Sequence, residues 1–316
     1  MDSQVLVSVA MISYKHAKYI RQALESVLEQ NVNFKYEIII GDDCSEDGTK
    51  EILMEYKKKY PDIIFPIINE KNLGASVNSY NVQLNCKGKY ITTLESDDFW
   101  CNKDKLKRQV EYLEKHPEIA AVGSNYYNVD ENGEKPVVAL SKFEVNKIYY
   151  MNDYMYHGFR IHGNTLMRRN NFPLTNENYK KVRFCTPTMG DVFTRCLLYD
   201  QGGIYVFPEI MMCHRDGREN VTSFTYQSHN NAMKYTHMLK DITDNMNIYF
   251  GGKYDFTPKV CTRLATLYLA SLTGKLKIDK KEYRDFKKSL QMKYRLLTNI
   301  SILYFCGYKL KKKLVK

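Results

Sequence analysis

Two short stretches put carboxylates close together behind apolar runs. TTLESDDFW, residues 92–100, carries Glu95, Asp97 and Asp98, and YEIIIGDD, residues 36–43, ends on Asp42 and Asp43. Like charges crowded in a low dielectric repel one another, and they persist where a cation neutralises them. The Glu95-x-Asp97 spacing turns two side chains the same way if the strand continues. Carboxylate oxygens suit hard divalent ions such as Mg²⁺ or Mn²⁺, which keep open positions for phosphate oxygens. Each stretch also has a plainer reading. ESDD could be a solvated acidic loop opening the next helix, and Ser45 or Asp47 could cap a helix that starts near Gly48. Other phosphate-binding motifs are missing: there is no GxGxxG, no GxxxxGK followed by Ser or Thr, and no twelve-residue calcium loop.

The elements that would position these residues read as alternating strands and helices. Apolar runs at 5–12, 36–43, 63–68, 89–94 and 119–124 are strands, the third at an edge because of its internal proline. Between them, Ile20, Ala23, Leu24, Val27 and Leu28 fall at helical spacing, as do Ile52, Leu53 and Tyr56, and then Leu106, Val110 and Leu113. A helix is also expected within NLGASVNSYNVQL. This rhythm predicts a mostly parallel α/β sheet with helices on both faces. Ligands bind such sheets beyond the carboxyl ends of the strands, where both acidic stretches fall. Residues 125–160 predict loops and short antiparallel strands, 162–169 a strand, 189–203 a helix ended by glycines, and IYVFPEIMM a strand. Beyond about residue 225 the texture turns helical and ends in a lysine-rich tail.

The 316 residues suffice for one large domain or two ordinary ones. With 44% hydrophobic and 26% charged residues, the composition is that of a soluble globular protein. The eight cysteines form no CxxC and read as isolated apolar fillers in a reducing compartment. No 18-residue apolar span occurs, and the opening MDSQVLVSVAMISY has no basic stretch before its apolar run. A cytoplasmic chain without a signal peptide is therefore expected. The net charge of +11 fits nucleic acid, anionic lipid or phosphorylated small molecules as partners, or a lysine-rich solvated surface.

Together these segments resemble family-2 glycosyltransferases of the GT-A fold. VSVAMISYKHAKYIRQALESVLEQ is similar to the opening strand and helix of that family, and GDDCSEDGT to its VDDGSTDGT segment. NEKNLG resembles the ENxG segment, KGKYITTLESDDFW the GxYIxxLDxDD segment, and MGDVFTRCLL with GGIYVFPEIMMCHR the acceptor-side region. The likeness covers roughly residues 5–223 and points to bacterial enzymes of surface-glycan assembly.

The resemblance implies roles by position. Asp42 matches the contact to the nucleotide base, with Asp43 and Lys71 in the same pocket. Asp97 matches the principal metal-contacting aspartate, Glu95 replaces the usual first aspartate, and Asp98 completes the motif. Asp191 matches the catalytic base, and Arg215 an arginine facing the diphosphate. His214 stands where tyrosine is common and could supply the metal-binding histidine, because Gly217 occupies the position where many members have one. The expected activity is inverting, Mn²⁺- or Mg²⁺-dependent transfer from a nucleotide-sugar, a UDP-sugar first among them. The acceptor would be a saccharide or lipid-linked saccharide. A GT-A domain over residues 1–223 would be followed by a helical extension over 224–316, whose basic end could touch the inner face of the cell membrane. The rival readings are a sugar-phosphate nucleotidyltransferase with the same kind of metal site and a non-catalytic basic scaffold. No recognised nucleic-acid module is present, and acidic strand ends repel phosphate unless a metal is bound, so no nucleic-acid partner is expected.

Overall fold

Residues 4–157, 161–215 and 231–314 are described by the computed structural model. The chain divides into two compact units, Met1–Asp216 and Gly217–Lys316. The domain boundary expected at 223–224 lies outside the described residues.

The first unit is built on one sheet. Its strands are β1 (Val7–Ser13), β2 (Tyr36–Asp42), β3 (Ile64–Ile68), β4 (Tyr90–Glu95), β5 (Phe99–Trp100), β6 (Ala121–Val129), β7 (Val137–Val138), β8 (Lys147–Tyr149), β9 (Met167–Arg169) and β10 (Ile204–Arg215). The spatial order is β3-β2-β1-β4-β9-β6-β10-β5, with β7 on β6 and β8 on β10. Pairing is parallel through β3-β2-β1-β4 and again between β6 and β10. The proline-bearing strand β3 lies at the edge, where its missing N–H leaves no ladder bond unmade.

Helices α1 (Ile20–Leu28), α2 (Thr49–Lys59) and α4 (Lys105–Lys115) share one core with the sheet, and α3 (Ala75–Leu84) covers the other face. Strand alternation accounts for the two layers. Val7, Val9 and Met11 pack with Ile20, Leu24 and Leu53, while Ala10, Ile39 and Ile91 pack with Val82 and Cys86. Burial on both faces is why these strands read as unbroken apolar runs. Each fully buried aliphatic side chain contributes about 1.5–3 kcal/mol. Close approach of α3 depends on Gly41, where a Cβ would lie 2.2 Å from Asn78 Oδ1, and the Asn78 amide donates to the Gly41 carbonyl at 2.8 Å.

The remainder of the sheet is more intricate than the sequence expectation. Strand β6 runs on to Val129, and a helix, α5 (Met151–His157), forms where only loops and strands are expected. Of the strand expected at 162–169, only Met167–Arg169 is extended, because Gly163–Thr165 coils into a 3₁₀ turn. Strand β9 enters antiparallel between β4 and β6, pairing Ile91 with Arg168 and Val122 with Met167. Since β9 runs against β4, the residues preceding it lie at the carboxyl end of β4. Two further helices, α6 (Glu177–Arg183) and α7 (Gly190–Asp200), complete this unit.

The second unit is helical: α8 (Ala232–Tyr249), α9 (Thr257–Leu272), α10 (Lys280–Ser289) and α11 (Met292–Leu314). Its core joins Val260, Cys261 and Leu264 to Met233, Tyr283 and Phe286.

Candidate functional site

Three strand ends and the segment before β9 converge at one edge of the sheet. Register sets Ser13 beside Asp42 and Ile12 beside Glu95. Pairing of Cys213 with Phe99 brings His214 and Arg215 against the loop that carries Asp97 and Asp98. The antiparallel course of β9 delivers His162 and Asn164 to the same place.

Asp98 is the hub. It is fully buried, and its carboxylate accepts from the Arg215 backbone N–H at 2.9 Å and from the Asn164 amide at 2.7 Å. The His214 Nδ1 lies 3.1 Å from one of its oxygens and 3.2 Å from the other. Burial works to raise the Asp98 carboxyl, but the hydrogen bond and charge of His214 outweigh it and hold the group below its ordinary range. Glu95 keeps a solvent-facing surface, with one oxygen 3.3 Å from the Asn164 amide. Desolvation by the surrounding protein and the charges of Asp97 and Asp98 push it up to about 8. Asp97 turns outward toward His16, at 3.9 Å, and is likewise raised by enclosure and by Asp98.

Arg215 is clamped between the rings of Tyr19 and Phe99, 4.7 and 4.8 Å from their centres. It donates to the Asp97 carbonyl and to the Gln22 side chain, and its buried Nε has no partner among the described residues.

Asp98, His162 and His214 can each point one ligand atom into a group no wider than 4.8 Å. The imidazole rings of His162 and His214 lie 4.3 Å apart. Their chemistry suits a cation. Enclosure and the neighbouring His214 hold His162 neutral, its pKa down to about 3, which is the ligating form. His214 is lowered by burial but raised more by Asp98, Glu95 and Asp97, to about 9, so binding a cation there would release its proton. One carboxylate and two imidazoles fit Mn²⁺ better than Mg²⁺, which prefers oxygen alone.

The other residues singled out from the sequence occupy distinct places. Asp42 is wholly buried and bonds the Ser45 hydroxyl at 2.6 Å and its N–H at 3.1 Å. Asp43 accepts from Leu73 N–H and Gly74 N–H, both at 2.8 Å, and from the Asn69 amide at 3.0 Å. It thereby fixes the 69–74 loop, on which Lys71 is exposed. Asp191 lies in the first turn of α7, where Arg195 holds its Oδ2 at 2.8 Å. It lines a pocket with Thr93 and Gly163, on the side of the 3₁₀ turn that faces α7. Gly217 lies outside the described residues. His162, Asn164, His16 and Gln22 carry no local motif. The signal that could have flagged the first two is a strand preceded by His-Gly-Asn, read as antiparallel to β4.

Comparison with known proteins agrees with this architecture. The profile of glycosyl transferase family 2 matches residues 8–187. The putative glycosyltransferase EpsE of Bacillus subtilis is 30% identical over 240 residues, which is 74% of this chain and 82% of EpsE. TuaG of the same organism, a putative teichuronic acid biosynthesis glycosyltransferase, is 42% identical over 108 residues, covering 34% of this chain and 42% of TuaG. An uncharacterized protein of Mycobacterium bovis is 37% identical over 129 residues, so the match spans 41% of this chain and only 37% of that relative. The crystal structure of S. aureus TarS 1-349 in complex with UDP superposes with a TM-score of 0.55 at 16% identity, over 92% of this chain and 77% of TarS. That likeness is one of fold, and the fold is GT-A. With the profile covering more than half of the residues and EpsE aligning over most of both chains, this chain belongs to glycosyl transferase family 2.

Proposed function

We propose that this chain transfers a sugar from a UDP-sugar to a hydroxyl of a bacterial surface glycan or a lipid-linked saccharide, with inversion and with a bound divalent ion. The observation that carries the reading is the meeting of Asp98, His162 and His214 at the carboxyl edge of a family-2 sheet. Those three residues would hold Mn²⁺, with Glu95 and Asp97 alongside. When bound, the ion supplies neutralisation of the charge that builds on the leaving diphosphate.

The remaining roles fall to the chain itself. Arg215, stiffened by its two aromatic rings and Gln22, presents a fixed positive charge to the diphosphate. Asp42 and Asp43 shape the base pocket by fixing the turn at Ser45 and the loop at Leu73–Gly74, a loop that also carries the exposed Lys71. Asp191 takes the acceptor hydroxyl proton. Arg195 holds its Oδ2, and no hydrogen bond to Oδ1 is made among the described residues, which leaves that oxygen for the incoming hydroxyl. TuaG's name and the UDP in the TarS complex suggest the first acceptor and donor to try.

Calorimetry of UDP binding tests the reading. Affinity is expected to rise when Mn²⁺ replaces EDTA and to lose that gain in Asp98→Ala, beside a panel of nucleotide-sugars screened for turnover. Equal UDP affinity with Mn²⁺ and with EDTA, together with no turnover of any sugar nucleotide, would refute it.

A further inference from the structure

Three arginines wall the pocket beside Asp191, and two of them form no salt bridge with a carboxylate among the described residues. Arg168, Arg183 and Arg195 line it, together with Ser79, Thr93 and Thr194. Arg195 pairs with Asp191. Arg168 and Arg183 are 5% and 3% exposed, and no carboxylate among the described residues forms a salt bridge with either. Among the described residues Arg168 bonds only neutral acceptors, the Gln83 side chain at 2.7 Å and the Arg169 carbonyl at 2.9 Å, and it stacks on Phe172. Arg183 reaches the Thr194 hydroxyl at 3.4 Å, and its buried Nε has no partner among the described residues.

The placement of Arg183 is costly in a second way. Its guanidinium lies against the first turn of α7, in space that exists because residue 190 is glycine, where a Cβ would sit 2.5 Å from Arg183 Nη1. That is the positive end of a helix dipole, which favours anions and disfavours cations. The N-cap of α7, Met189, offers no side-chain acceptor to the helix either. Burial lowers the pKa of both arginines, the charge of Arg183 lowers Arg168 further, and the charge of Asp191 offsets part of the shift at Arg183. Three arginines around one carboxylate call for more negative charge than Asp191 alone brings to the pocket.

We infer that this pocket is an acceptor subsite for an anionic group, a phosphate or a carboxylate carried by the acceptor glycan. The inference rests on the transferase reading, since it makes Asp191 the neighbour of a bound acceptor. Ile91 and Thr93 line the pocket from the face of β4 that ends in Glu95, so the subsite leads along one strand to the acidic cluster. An acceptor anchored by its charge would bring an adjoining hydroxyl toward Asp191. The arginines would also offset its repulsion from that carboxylate.

Saturation-transfer NMR on the full chain, with UDP and Mn²⁺ present to fill the donor site, tests this with three probes: methyl phosphate, methyl glucuronide and neutral methyl glucoside. At least one anion is expected to bind about tenfold or more tightly than the neutral sugar, as loss of a charge-assisted hydrogen bond implies. Preference for methyl phosphate assigns a phosphodiester-linked acceptor, and preference for the glucuronide a uronic acid. Arg183→Gln should lower anion affinity by a similar factor. Because that change could disturb folding, Ser79→Asp, which adds a carboxylate at a partly exposed lining position, should do the same with unfolding temperature unchanged. Equal binding of neutral and anionic probes, or anion binding unaltered in both variants, overturns the inference. Calorimetry of UDP on the same samples reads the donor site separately, so failure of donor binding tells against the transferase reading alone.

Discussion

Asp191 occupies the first turn of α7, but Met189 holds the N-cap position, so the acidic side chain is not there to cap the helix. Its side chain is 57% exposed and its ion pair with Arg195 is at the surface, a kind of contact worth about 0–1 kcal/mol. Asp191→Asn should therefore leave the unfolding temperature and donor affinity unchanged. Loss of a general base typically costs about 10²–10⁴ in rate, and kcat for transfer should fall by that much. Near-normal turnover in a fully folded variant would place the base elsewhere. Part of the candidate site was legible residue by residue: Glu95, Asp97 and Asp98 stand out as charge at a strand end, whereas His214 was singled out only by the family resemblance. His162 and Asn164 were not legible, because Asn164 meets Asp98 across 66 residues and nothing in HGNT marks the meeting. The split of labour between neighbours was hidden as well. Asp97 and Asp98 are adjacent in sequence, yet one faces His16 and the other is buried among His214, Asn164 and Arg215.

Among elements, the parallel half of the sheet follows from pattern. Strands β1, β2 and β4 are buried on both faces and so leave continuous apolar runs, and α1, α2 and α4 leave a clear helical stripe. The half that contains β7, β8 and β9 gave little signal, since strands of two or three residues are too short to show a period and tyrosines suit either structure. Helix α6 did carry a readable start, Asn176, whose side chain accepts from the N–H groups of Asn178 and Tyr179. The tight contact of β2 with α3 offers a test of packing. In Gly41→Ala the new methyl would lie 2.2 Å from Asn78 Oδ1 and 2.8 Å from Val82 Cγ2, so helix and strand must separate. Overpacking of this kind costs about 1–3 kcal/mol, to be read as a lowered urea midpoint with an unchanged slope. Unaltered stability would mean that α3 moves away freely.

For the whole molecule, charge and exposed apolar surface coincide at the end of the chain. Met292, Leu296, Ile300 and Leu303 of α11 are 73%, 56%, 60% and 71% exposed and recur at helical spacing. Lys309, Lys311, Lys312 and Lys313 follow them in sequence. No helix among the described residues is long and apolar enough to cross a membrane. An apolar stripe leading into lysines suits the surface of an anionic bilayer, where each lysine contributes about 1 kcal/mol. Flotation with vesicles containing phosphatidylglycerol should carry the full chain upward. Removal of residues 308–316, or Ile300→Asp, should leave it at the bottom of the gradient. Failure of the full chain to float would end the idea of membrane contact.

The reach of Asp98 also sets an order of events during synthesis. In the parallel half the β1–β2 pair closes over a short span, Ser8 to Glu37, 29 residues apart. Asp98 must wait for Arg215, 117 residues later. At about 5–20 residues per second, that wait on the ribosome is roughly 6–23 seconds. His16 is already made when Asp97 emerges, and Asn164 follows Asp98 by 66 residues. His214 and Arg215 come only with β10, the last strand of the first unit, so the carboxylate cluster completes its set of partners in the same step that completes the sheet.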